Sequence, residues 1–289
     1  MAPHFTSRER AQRRIRRRAP EFAHSEAGNP ARMRVLTQNL LGRRQDWPRR
    51  RAVLAAALAR TPPDVVLLQE AVVDGDYDQA AELLGPDFHV RHQAERAPDG
   101  SGIAIAGRWP LGRASEIDLR LASRPADLPA GALAVDVHWP YSATALLAVN
   151  HKPSRQPDAE AEREAQAVAA VRFVAQIRER TGQPVLLGGD FDAEPEAPSV
   201  RFWAGKYRDA WRECHGDEPG PTLAPSLNPL AEGHRHGGDR RVDYLFTRMG
   251  ELGPALSATR CERTNTVPVQ GVWGSDHFGL MAEFDVPHE

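Results

Sequence analysis

The chain has 289 residues, 41% of them hydrophobic and 26% charged, and a net charge of −2. This composition fits a soluble globular protein of one large domain, or two of ordinary size, with enough apolar material for a core without disulfides. Cys214 and Cys261 make neither a disulfide framework nor a zinc spacing, which indicates apolar filler and a reducing, cytoplasmic setting, and no apolar run is long enough to span a bilayer.

Residues 1–29 carry seven Arg against three Glu, a net of +4, and no apolar segment of the kind found in secretory signals. They read as a basic, disordered tail ahead of a 30–289 domain of net charge −6. An acidic body argues against a clamp for long duplex DNA. "MRVLTQNLLG" predicts a strand ending at Asn39, and "WPRRRAVLAAALAR" a helix begun at Pro48 with Val53, Leu54, Ala57 and Leu58 on one face. "DVVLLQE" has the unbroken apolar run of a strand covered on both faces, and it stops at Glu70. "DYDQAAELLG" predicts a helix closed by Gly85, followed by the short strands "FHVRHQ" and "SGIAIAG".

Further strands are expected near 113–121, 131–138 and 143–151, the last ending at His151, with "ASRPADLPAG" as a loop between them. A long helix is predicted over about 158–180, acidic in its first turns, basic in its last and stopped by Gly182. "PVLLGGD" is the next strand; "APSVRFW" and "YRDAWREC" read as short helices, and 216–240 as a Gly/Pro/His-rich loop. "RVDYLFTR" and 255–264 read as strands, and the loop "GSDH" leads into a last strand, "GLMAEFDV". Crossovers mixed with meanders suggest paired sheets inside and helices outside.

Polar residues stand where these apolar strands end or begin: Asn39, Glu70, His151, Asp190 with Asp192, and Asp276 with His277, while Asp243 interrupts one. A single residue of this kind is ordinarily a cap or a turn. The whole set, on separate strands, indicates that the strand ends converge on a ligand-binding rim. One Glu, several Asp, two His, one Asn and no thiolate suit Mg²⁺ or Mn²⁺ rather than zinc. With such a cation the set can neutralise a phosphate, donate to its oxygens and take a proton from water. Arg240 and Arg241, in "EGHRHGGDRR", read equally as phosphate grips and as a solvated basic loop. Trp203, Trp211 and Trp273 read as core, with base or acyl contact as the alternative.

The pieces "LTQNLLG", "VVLLQE", "SGIAIAGRWPL", "LLAVNH", "VLLGGDFDAEP", "RVDYLF" and "GSDHFGL", in this order over residues 33–286, resemble the endonuclease/exonuclease/phosphatase superfamily of pancreatic deoxyribonuclease-like folds. The resemblance implies an α/β fold, a four-layer α/β/β/α sandwich of two packed mixed sheets flanked by helices, with the site at one end of the sheets. It implies hydrolysis of phosphomonoesters or phosphodiesters with Mg²⁺ or Mn²⁺. By position, it makes Glu70 the main metal ligand with Asn39 beside it, and Asp276 a second metal-side carboxylate. Asp190 would orient and deprotonate water, and His151 and His277 would donate to phosphoryl oxygens, His277 oriented by Asp243.

Two departures stand out. Asp192 replaces the family's usual Asn; an ionised Asp accepts only, so it is expected to share a metal or a proton with Asp190. "VNHKP" replaces "NTHL", with His151 set on the family's His and a changed loop beyond it. The expected partner is a phosphorylated small molecule, lipid headgroup or nucleic acid, acted on by a monomer. Nuclease action, a catalytically weak phosphate-binding module, and a protein acting through its Arg-rich tail are the alternatives.

Overall fold

The computed structural model describes residues 31–120, 129–248 and 256–286. The tail 1–29 and most of "ASRPADLPAG" lie outside the described residues.

Two crossovers form the centre. Strand β1 (Ala31–Asn39), helix α1 (Trp47–Arg60) and strand β2 (Val65–Asp74) make the first, with β1 parallel to β2 from Val35 opposite Val65 to Asn39 opposite Gln69. After β3 (Tyr77–Asp78), α2 (Gln79–Leu84), β4 (His89–His92), β5 (Ser101–Gly107), β6 (Leu111–Asp118) and β7 (Gly131–Val137) comes the second. It runs through β8 (Leu146–Lys152), α3 (Glu160–Thr181) and β9 (Val185–Asp190), with β8 parallel to β9. Then follow α4 (Pro198–Ala204), β10 (Tyr207–Asp209), α5 (Ala210–His215), a 3₁₀ helix (Pro229–Gly237), β11 (Asp243–Arg248), β12 (Ser257–Thr264) and β13 (Gly279–Val286).

The strands form two sheets. One runs β12-β13-β1-β2-β5-β4, with β3 added on β2; the other runs β10-β11-β9-β8-β7-β6. Val35, Leu67, Ile105 and Leu280 of the first face Leu133, Leu146, Leu186 and Leu245 of the second in a buried central core. Trp47 and Leu54 of α1 and Leu83 of α2 cover the outer face of the first sheet. Ala167, Ala170 and Val174 of α3 and Trp203 of α4 cover the second. The layers are therefore α/β/β/α, and each central strand is apolar on both faces because each face is buried.

Local chemistry places the boundaries. Asp78 caps α2 by accepting from Ala81 N at 3.0 Å, and Gly182 ends α3 in the left-handed region at φ 66°. Gly189 holds φ 142°, and a Cβ there would lie 2.0 Å from the His151 carbonyl, so only glycine lets β9 approach β8 this closely.

Two expectations are corrected. Strand β2 does not stop at Glu70. Its pairing with β5 shifts register between Leu68 and Ala71 and then resumes, a bulge that carries Glu70 at φ 54°. Residues 207–209, read as helical, are strand β10, fixed by pairing with Phe246–Arg248 of β11; the helix begins only at Ala210, where Asp209 accepts from Trp211 N.

Candidate active site

The parallel strands β1 and β2 end at the same edge of the first sheet, and β8 and β9 at the matching edge of the second. Strand β11 runs antiparallel to β9, so its first residue, Asp243, pairs with Asp190, the last of β9. The segment before β13 returns to this edge: Leu223 bridges both Arg240 and His277, Phe278 N donates to Thr222 O at 2.7 Å, and Thr222 Oγ1 accepts from the amides of Val242 and Asp243. Topology thus sets Asn39, Glu70, Lys152, Asp190, Asp243, Asp276 and His277 on one rim.

Asp190 is the hub. It is fully buried, and its Oδ2 accepts from Asn39 Nδ2 at 2.9 Å and from Lys152 Nζ at 2.6 Å, while Oδ1 accepts from Asp192 N at 3.1 Å. Burial alone would raise its pKa. The Lys152 ammonium, His277 and these hydrogen bonds outweigh burial and hold it well below the usual carboxylate range. Asp192 moves the other way, pushed up by burial and by the neighbouring charge of Asp190. The two carboxylates, expected to share a metal or a proton, both bond the Lys152 ammonium.

His277 Nδ1 lies 2.9 Å from Asp243 Oδ2, and its Nε2 faces Asp190 Oδ2 at 3.9 Å. Burial would lower the imidazole, but the charges of Asp243 and Asp190 prevail and hold it well above its ordinary value. Ligand atoms of Asp190, Asp243 and His277 all lie within 4.8 Å of one another.

Glu70 stands on the other side of Asn39, whose Nδ2 also donates to Glu70 Oε1 at 3.2 Å. A non-glycine residue at φ 54° costs about 1–2 kcal/mol, and here that strain turns Glu70 out of the ladder toward the rim. Asp276 is buried, with Oδ1 3.1 Å from Ser275 Oγ, and lies 3.9 Å from His234 Nε2. Ser275 Oγ in turn donates to Asn39 O at 2.7 Å, which ties the Asp276 loop to the end of β1. These hard oxygen donors fit a divalent cation of the magnesium or manganese type. Asn39 Oδ1 accepts from Leu41 N at 2.9 Å and its Nδ2 donates to both Glu70 and Asp190, so the side chain links the two carboxylates.

Of three further predicted residues, His151 and Arg241 sit elsewhere and Arg240 lies beside the rim. His151 points away from the rim into the outer core, 4.9 Å edge-on to Phe191 and 5.4 Å from Trp203. Its Nδ1 is buried without a partner, and burial, with the Lys152 charge, pushes its pKa down to about 3. The inward positions of β8 belong to Asn150 and Lys152. Asn150 crosses between the sheets, donating to the carbonyls of Leu68 and Ala104 and accepting from Gln69. Arg241 is buried on Asp209 at 2.7 Å and over the Tyr244 ring, so it is no substrate grip. Arg240 is half-buried, with its guanidinium folded toward Gly237 and its charge felt by His234. Trp203 and Trp211 are core, while Trp273 is half-buried and stacked on Phe278.

His151→Phe is accordingly expected to retain activity. It also changes the acid response. The unfolded histidine, near pKa 6.5, binds a proton that the folded one refuses until about pH 3, so stability falls by about 1.4 kcal/mol per pH unit below about 6.5. Urea unfolding at pH 7, 6 and 5 should show a shallower loss in the variant; an unchanged slope combined with lost turnover would return His151 to the site.

The sequence reading missed Lys152 and Arg50. Arg50 is 1% exposed and donates to the carbonyls of Arg44, Leu40, Gly274 and Gly42 at 2.7–2.9 Å. It pins the loop after β1 to the loop carrying Asp276. Burial lowers its pKa to about 10, partly offset by Asp276, Asp46 and Glu70, so it stays charged behind the acidic wall. Arg50→Met would strand buried carbonyls and should cost about 3–5 kcal/mol, read as a lower urea midpoint; a loss under about 1 kcal/mol would refute this role. Its signal was present, since Trp47, Arg50, Val53 and Leu54 recur at helical spacing.

The profile of the Endonuclease/Exonuclease/phosphatase family matches residues 36–277. Human sphingomyelin phosphodiesterase 2 is 25% identical over 250 residues, which cover 78% of this chain and 57% of that protein. Among solved structures, TDP2 of D. rerio, complexed with a single strand DNA product, superposes with a TM-score of 0.73 at 18% identity, covering 88% of this chain and 99% of that one. An endonuclease/exonuclease/phosphatase family protein from Bacteroides thetaiotaomicron gives 0.70 at 16% identity, covering 89% and 95%. With the profile spanning most of the chain and the same sandwich in these structures, the chain belongs to the endonuclease/exonuclease/phosphatase family.

Proposed function

We propose that the protein is a divalent-cation-dependent hydrolase of phosphoester bonds, with Glu70 and Asp276 holding Mg²⁺ or Mn²⁺. The carrying observation is the convergence of Asp190, Asn39, Glu70 and the His277–Asp243 pair on one rim. Family membership and the phosphodiesterase relative support the reaction class. When bound, the cation supplies positive charge to the phosphoryl group.

The chain's own residues do the rest. Asp190, ionised and only partly saturated by its three donors, accepts a hydrogen from the attacking water and takes its proton as the new O–P bond forms. His277, held by Asp243 and charged at neutral pH, donates from Nε2 to a phosphoryl oxygen. Asn39 keeps Glu70 and Asp190 in fixed relation. The ester bond breaks as its oxygen leaves opposite the water.

A body charge of −6 favours a small phosphodiester, a lipid headgroup or a short single strand over long duplex. No helix among the described residues is long and apolar enough to cross a membrane, and two free thiols are in keeping with the cytoplasm. The test is release of p-nitrophenol from bis-p-nitrophenyl phosphate and p-nitrophenyl phosphate, with a parallel panel of phosphorylated lipids and oligonucleotides. Turnover with Mg²⁺ or Mn²⁺ that EDTA removes is expected. Absence of cation-dependent release from every substrate would favour a binding module instead.

A further inference from the structure

Lys152 is an ammonium buried where the rim is most negative. Its side chain is 5% exposed, against 0% for Asp190 and 15% for Asp192. It bonds Asp190 Oδ2 at 2.6 Å and also Asp192 Oδ2, and it lies in the field of Glu70. Burial would lower its pKa, but these three carboxylates outweigh burial and keep it charged. A buried lysine is tolerated only with such pairing. Asp192 is the second half of the arrangement. At φ 51° its backbone turns to place its own amide on Asp190 Oδ1 and its carboxylate on Lys152, closing a ring of three side chains.

The same atoms bear on metal loading. The grouping of Asp190, Asp243 and His277 has the spacing of a cation site. Yet Asp190 Oδ2 already accepts from Lys152 and Asn39, and His277 Nδ1 is engaged with Asp243. A metal ion entering there would have to displace the Lys152 ammonium from Asp190.

We propose that Lys152 is the site's built-in second cation: on Asp190 and Asp192 it takes the place of a second metal ion, so the protein loads one divalent ion, on the Glu70 side. This rests on the cation reading above. Asp192 acts as a positioning residue that anchors the ammonium over Asp190.

Titration of the full chain with Mn²⁺, followed by the electron paramagnetic resonance of free Mn²⁺, counts bound ions without reference to turnover. Wild type should bind one ion, held about a hundredfold more weakly in Glu70→Gln. Lys152→Met should bind a second, because the freed carboxylates of Asp190 and Asp192 then need a partner. Lys152→Gln, which keeps a hydrogen-bond donor for Asp190 and guards against a folding failure of the Met variant, should also bind two. Lys152→Arg, which keeps the charge, should bind one. Two ions in wild type, or one in both neutral variants, would overturn the proposal and leave the cation reading standing. No ion in wild type, or one indifferent to Glu70→Gln, would instead overturn the cation reading.

Discussion

Asp190→Asn is expected to lower kcat on a cation-dependent phosphoester substrate by about a thousandfold, the middle of the range for a positioned acid–base group. The effect should fall on kcat rather than on cation binding. Asp190 sits between Asn39 and Lys152, with Glu70 reached only through the Asn39 amide. An amide at this position keeps the shape and one acceptor oxygen but cannot take a proton from water. Steady-state kinetics combined with Mn²⁺ titration separates the two effects. Unaltered kcat would remove Asp190 from the chemistry, whereas a parallel loss of Mn²⁺ affinity would make it a ligand.

Glu70→Gln is the second large effect. One unit charge removed about 4 Å from another is worth about 4 kcal/mol at an effective dielectric of about 20. Water and Asp276 recover part of this, so Mn²⁺ affinity should fall by about a hundredfold, with activity restored in part by excess cation. The variant should fold, because Glu70 is only half-buried and lies on a bulge. A variant with wild-type cation affinity would show that the strained backbone at Glu70 serves some other end.

Much of the sandwich was readable because each layer leaves its own mark in the chain. Runs such as Val65–Leu68 and Leu146–Val149 are apolar at every position, the consequence of sheets covered on both faces. The polar residues that end these runs then stood out, and topology carries Asn39, Glu70, Asp190, Asp243 and His277 to one edge. The same double burial hid Lys152. Leu146 and Ala148 face the central core and Leu147 and Val149 the outer one, so the alternation along β8 has no visible phase. Sequence alone could not show whether His151 or its neighbour points inward. The phase became readable only through Asn150, whose contacts cross to β2 and β5.

Nonlocal partners account for the other differences. Arg241 looked available for phosphate, but its carboxylate partner, Asp209, lies 32 residues earlier, on a strand that read as helix. The bulge at Glu70 depends on β5, some thirty residues downstream, and no local pattern marks it. Arg50, by contrast, shares a helical face with Trp47, Val53 and Leu54, and its burial follows from that spacing.

The most direct measurement is an anomalous difference map from crystals of the protein grown or soaked with Mn²⁺. The expected result is a peak about 2.1 Å from a carboxylate oxygen of Glu70, with Asp276 nearby, between the ends of the two sheets. Manganese bound only at surface carboxylates, with the Glu70 side empty under conditions that support turnover, would contradict it.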